Sequence, residues 1–153
     1  MNALHGQLDA LSGPLRNLLD TLAREGEVLH SGEVDRLPEL TATKERHARA
    51  LAAGWAALTG QLQLTAPVTR QAIEQALSSR ADASLIEAWS RIVGVIDEIQ
   101  RLNRLNGRLI EEQLRRTQSA LDILQSAASQ QALYGADGHS VELLAPQRSI
   151  DEA

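Results

Sequence analysis

Leu85, Trp89, Ile92, Ile96, Ile99, Asn103, Asn106, Ile110, Gln113, Thr117, Ala120 and Leu124 follow one another in steps of four and three, and no proline intervenes before Pro146. Such spacing keeps side chains on one face of an α-helix, whereas a strand would alternate every second residue. The segment is therefore predicted to be one long helix lying seam-first against other helices. The first half of the seam is strongly apolar. The second is polar or small in that register, with Leu102, Leu105, Leu109, Leu114 and Leu121 beside it. The buried face is expected to rotate or widen near Asn103.

Two more stripes precede this one. Leu4, Leu8, Leu11, Leu15, Leu18 and Leu22 share the spacing, and Leu29 resumes it after Glu25 interrupts. Pro14 lies inside this first stripe and lacks the amide proton that an interior helix needs, so a kink or restart is expected there. After a turn at His30-Ser31-Gly32, the second stripe runs through Val34, Leu37, Thr41, Lys44, Ala48, Leu51, Trp55, Leu58 and Leu62, with Lys44 and Thr41 as polar interruptions and Pro38 in the opening turn. So short a connection makes the two helices antiparallel neighbours. Thr65-Ala66-Pro67 predicts the start of a short third helix reaching Ser79, and Ser84 with Glu87 reads as a capping box for the fourth, which could also begin at Asp82. The predicted fold is all-α: an elongated antiparallel bundle in which the hairpin packs on the long helix. Residues 1-134 form the bundle. Residues 135-153, which carry −3 of the chain's −5 net charge, form an acidic tail.

Composition narrows the function. Leu and Ala dominate, Phe and Cys are absent, and the aromatic residues are Trp55, Trp89 and Tyr134. Basic and acidic residues interleave, so no continuous positive stripe offers itself to phosphates or anionic lipid. Neither nucleic acid nor stable membrane insertion is expected, and a cytoplasmic protein follows by default. His5, His30, His47 and His139 have no metal-ligand spacing, and neighbours such as Glu111-Glu112 diverge on a helix, so neither a metal site nor a catalytic carboxylate pair is expected. No glycine-rich phosphate loop or activated nucleophile is present, which leaves cofactor-free binding by helix surfaces rather than enzymatic turnover.

Asn103, Asn106 and Gly107 break the long seam. An asparagine in a seam loses hydration and needs new partners, at about 1–3 kcal/mol if it finds none. It can fix helix register, as buried asparagines do in coiled coils, or it can bond an incoming chain in a groove. On the groove reading, Asn106→Leu or Gly107→Leu weakens binding with little change in melting. Gly107 costs about 1 kcal/mol relative to alanine in mid-helix and implies a close contact of one kind or the other.

Ile99, Leu102, Asn103, Asn106, Gly107, Leu109 and Ile110, then Ala120-Leu121 and Leu124, then Tyr134-Gly135-Ala136-Asp137-Gly138, resemble the C-terminal signature of the FlgN-type flagellar export chaperones. The hairpin residues Leu18-Leu19, Glu25, Leu29, Asp35, Leu37, Leu40, Lys44 and Leu51 are similar to that family's pattern, so the resemblance covers most of residues 15 to 138. It implies a chaperone that holds C-terminal helical segments of hook-filament junction (hook-associated) proteins and delivers them to the flagellar type III export apparatus. The implied client-binding residues are Ile99, Leu102, Asn103, Asn106, Gly107, Leu109, Ile110, Leu114, Leu121 and Leu124, with Tyr134 and Gly135 as a candidate docking point for the export gate. The alternative is a self-associating coiled-coil adaptor with no dedicated client.

Overall fold

The computed structural model describes residues 3–133, with side chains to residue 130. Helix α1 spans Ala3–Ser31, α2 Leu37–Gln61 after a single 3-10 turn at Val34–Arg36, α3 Arg70–Ser78 and α4 Ala83–Leu133. No strand occurs among the described residues, and the all-α reading holds. The chain divides into two compact units, Met1–Glu111 and Glu112–Ala153. The expected tail, residues 135–153, lies outside the described residues.

Helix α1 runs through Pro14 without a break, where a kink or restart was expected. Leu4, Leu8, Leu11 and Leu15 are all buried across that point. Each buried leucine contributes about 1.5–3 kcal/mol, which outweighs the roughly 3 kcal/mol that an interior proline costs. The helix stops at Gly32, whose φ of +78° is the left-handed conformation that costs glycine least, and whose amide donates to Val28 O at 3.0 Å. Pro38 stands in the first turn of α2, where its missing donor costs nothing.

The hairpin is antiparallel: Leu11 near one end of α1 meets Gly54 of α2, and Glu25 near the other end meets Lys44. Gly54 is a close-approach site, since a Cβ there would stand 2.7 Å from Leu11 Cδ2. One apolar core fills the end of the bundle where α1 begins and α2 ends, joining Leu4, Leu8, Leu11 and Leu15 to Leu58, Leu62, Ile73, Leu77, Leu85, Trp89 and Ile92. Trp55 and Trp89 tilt against each other there, with ring centroids 5.8 Å apart. Toward the Gly32 turn this core gives out; along α2, Thr41 and Ala48 of the predicted seam are exposed.

One helix start differs from expectation, and the other takes the second of the two starts that the sequence offered. Helix α3 begins after Thr69, whose Oγ1 accepts the Ala72 amide at 3.1 Å, and not at Thr65-Ala66-Pro67. Helix α4 is capped by Asp82: its Oδ1 accepts the Ser84 amide at 3.0 Å and the Ser84 hydroxyl at 2.6 Å. The Ser84–Glu87 capping box does not form, because Ser84 lies inside the helix and not at its N-cap; its hydroxyl donates to Asp82, and Glu87 pairs with Arg91 at 3.5 Å. With that proton committed, His5 Nε2 is the donor in its 2.7 Å contact with Ser84 Oγ, tying the start of α1 to the start of α4.

Candidate partner-binding face of the long helix

The residues singled out along α4 have different surroundings. Ile99 is half-buried at the edge of the apolar core. Past it the covered face rotates as expected: Asn103 is exposed, while Leu102, Leu105 and Leu109 are half-buried. These three leucines and Leu22, Gly26 and His30 of α1 line an open, largely aliphatic groove of about 580 Å³.

Asn106 is inside the bundle, 2% exposed. Its Nδ2 donates to Leu22 O and to Glu25 Oε2, both at 2.8 Å. Two acceptors fix the amide's orientation and leave Oδ1 without a partner among the described residues. That oxygen sits over Gly26, where a Cβ would come within 2.9 Å of it. Glu25 is itself buried, and its other oxygen takes the Lys44 ammonium at 2.6 Å. Three polar residues that interrupt three stripes thus form one connected set across α1, α2 and α4. A carboxylate removed from water costs several kcal/mol unless it is paired and fully bonded. The Lys44 ammonium and Asn106 amide supply that pairing toward the Gly32 end of the hairpin, where Leu22, Val28 and Leu29 are buried outside the main core. Asn106 thus makes the bonds of a register residue while also lining that groove, and Asn106→Leu strikes the fold first.

At Gly107 a Cβ would meet nothing within 4 Å, so of the two contacts expected there a close helix approach is not the one made among the described residues. The glycines that permit close approach are Gly26 and Gly54, and their sequence context gave no sign of it: neither interrupts a stripe. Glu25 and Lys44 did carry a signal, as charged residues in apolar stripes, but spacing along a helix does not say which two will meet.

In the second unit the side chains of α4 stand largely bare. Leu114 is 64% exposed, Leu121 47% and Leu124 65%, spaced seven and three residues apart so that they form one stripe. Ile123, which the seam pattern did not single out, is 69% exposed. In the first unit Ile110, the last seam residue before the boundary, is 39% exposed. Apolar side chains scattered singly over a surface are ordinary; these share one side of the helix, with Thr117 between Leu114 and Leu121. Tyr134 and Gly135 lie outside the described residues. Among the described residues no three His, Asp or Glu could hold a metal ion, and no helix is long and apolar enough to cross a membrane.

Fold and face together define a class: an all-helical bundle whose longest helix leaves an aliphatic stripe uncovered. Within that class the chain matches the family model for FlgN protein over residues 1–142, and it belongs to the FlgN family. It is 26% identical over 152 residues to the flagella synthesis protein FlgN of Proteus mirabilis, covering 98% of both chains. To the flagella synthesis protein FlgN of Salmonella typhimurium it is 29% identical over 140 residues, covering 92% of this chain and 91% of that one. No solved structure matches the chain.

Proposed function

We propose that this protein serves flagellar synthesis as a cytoplasmic export chaperone. It binds C-terminal helical segments of hook-associated (hook-filament junction) proteins, keeps them from assembling early and delivers them to the flagellar type III export apparatus. The observation that carries this reading is the bare aliphatic side chains of Leu114, Leu121 and Leu124 on a helix whose N-terminal part packs into the apolar core. A client helix with its own apolar stripe covers such a face at the cost of ordering two surfaces, and releases it without chemistry. The groove lined by Leu102, Leu105 and Leu109 offers a second aliphatic surface on the same helix. Family membership and the flagella synthesis names of the relatives support the cellular process; the client and the export step rest on this face and on the resemblance of the residues around it.

The test is a calorimetric titration of the full chain with peptides from the C-termini of hook-associated proteins, beside their N-terminal segments as controls. Saturable binding of the C-terminal peptides alone is expected. Equal binding of both, or none, overturns the reading. Sedimentation across a concentration series without peptide distinguishes the rival: an obligate dimer that loses its self-association in Leu121→Asp would make the stripe a self-association surface.

A further inference from the structure

The first half of α2 is held differently from the rest of the hairpin. Between Leu37 and Ala50 no residue is buried: Leu37, Leu40, Thr43, Lys44 and His47 are half-buried and the others are exposed. The 3-10 turn at Val34–Arg36 that leads into it buries none either. The second half grips the apolar core, with Leu58 and Leu62 inside it and Leu51 and Trp55 packed against it. Gly54, seated close against Leu11, lies in this gripped part.

The side of α1 that meets Lys44 is nevertheless covered. Glu25 is buried, and so are Thr21 and Val28, four residues before it and three after it on the same side of the helix. Glu25 Oε1 takes the Lys44 ammonium at 2.6 Å, while Oε2 holds the Asn106 amide. An ion pair closed in this way fixes geometry more than it adds stability, because its Coulomb attraction is largely offset by the hydration that both charges give up. That hydration returns when the pair separates. The apolar core has no such compensation: Leu11, Leu58 or Ile73 moved into water simply loses its burial. Separation at Lys44 therefore costs less than opening the core, and a bundle opens first where its buried apolar contacts are fewest.

We propose that residues 32–50, the turn and the first half of α2, form a strap latched by Lys44–Glu25 that lifts from α1 while the apolar core stays closed. Its opening gives Thr21, Val28 and the Glu25 carboxylate to water together and makes a covered side of α1 accessible. Glu25 keeps its bond to Asn106, so α1 and α4 hold their register during the motion. The strap involves none of the bare leucines of α4 and does not depend on the client reading.

Hydrogen exchange of the full-length chain, followed by mass spectrometry at neutral pH, tests this. After correction for intrinsic rates, amides of residues 41–50 should exchange at least about a hundredfold faster than those of residues 88–96, because local opening and global unfolding then differ in free energy. Lys44→Ala removes the latch and leaves Glu25 without its cation in the closed form alone. Exchange over residues 41–50 should rise about tenfold further, with residues 88–96 unchanged. The chain has no cysteine, so a thiol placed under the strap reports the same motion. Under native conditions Val28→Cys should react with a thiol reagent at least about tenfold faster than Ile92→Cys, although both positions are buried. Equal protection of the strap and residues 88–96, a parallel loss of protection at residues 88–96 in Lys44→Ala, or equal thiol rates would each overturn the proposal.

Discussion

The side-chain amide of Asn106 donates to the buried carboxylate of Glu25 at 2.8 Å, across 81 residues of chain. Glu25 in turn holds Lys44, so one carboxylate joins the middle of α4 to both helices of the hairpin. Removing one member of such a set leaves the others buried and short of partners, which is costlier than replacing them all. Urea unfolding of Asn106→Ala, Glu25→Ala and the double variant should give a coupling of about 1–3 kcal/mol, with the double variant less unstable than the sum. Additive losses would mean that the contact does not hold the helices together. Asn106→Leu should also be destabilised, by about 1–3 kcal/mol, because Leu22 O and Glu25 Oε2 both lose a donor.

Two glycines should respond with opposite signs to the same substitution. Alanine at a mid-helix glycine gains about 1 kcal/mol from helix propensity where there is room. At Gly107 there is room, and Gly107→Ala should raise the melting temperature. At Gly26 the new methyl group would stand 2.9 Å from the amide oxygen of Asn106, which its two donated bonds hold in place. Gly26→Ala should therefore lower stability despite the propensity gain. Paired thermal melts decide this, and two shifts of the same sign would contradict the packing described.

The bare leucines should separate function from folding. Leu121→Asp and Leu124→Asp replace side chains that cover nothing in their unit, so melting should change by no more than about 0.5 kcal/mol, the usual range for a surface change. Binding of hook-associated protein C-terminal peptides should fall at least about tenfold, as loss of an anchoring apolar contact does. Leu58→Asp, at a fully buried position, should by contrast unfold the bundle.

The start of α4 should report pH. The Ser84 hydroxyl bonded to the Asp82 carboxylate holds its pKa below the ordinary 3.8, helped by the Ser84 amide and by His5. A carboxyl group lowered by folding stabilises the fold fully above its unfolded pKa and loses that contribution as pH falls through its lower folded value. Asp82→Asn retains an acceptor but not the charge. The parent should therefore be more stable than Asp82→Asn at neutral pH, and the difference should close as pH falls through the lowered pKa of Asp82. A gap that persists into that acid range would mean that the charge at Asp82 is not what the cap contributes.

Periodicity is a local property, and what it determines was readable along the chain. The steps of four and three gave the three main helices, the hairpin, the rotation of the buried face near Asn103 and the residues that interrupt each stripe. The residues of the C-terminal half of α4 pointed to the family that the whole-chain match then established. Tertiary structure decided what depends on a partner distant in sequence: that Glu25, Lys44 and Asn106 answer one another, that Gly26 and Gly54 and not Gly107 admit a close neighbour, and that Asp82 outcompetes the Ser84–Glu87 box. It also decided which leucines of α4 are covered. Leu85 and Leu121 look alike in a helical pattern, yet Leu85 is buried in the bundle core and Leu121 stands bare in the second unit, because burial depends on whether another helix is there to remove the side chain from water.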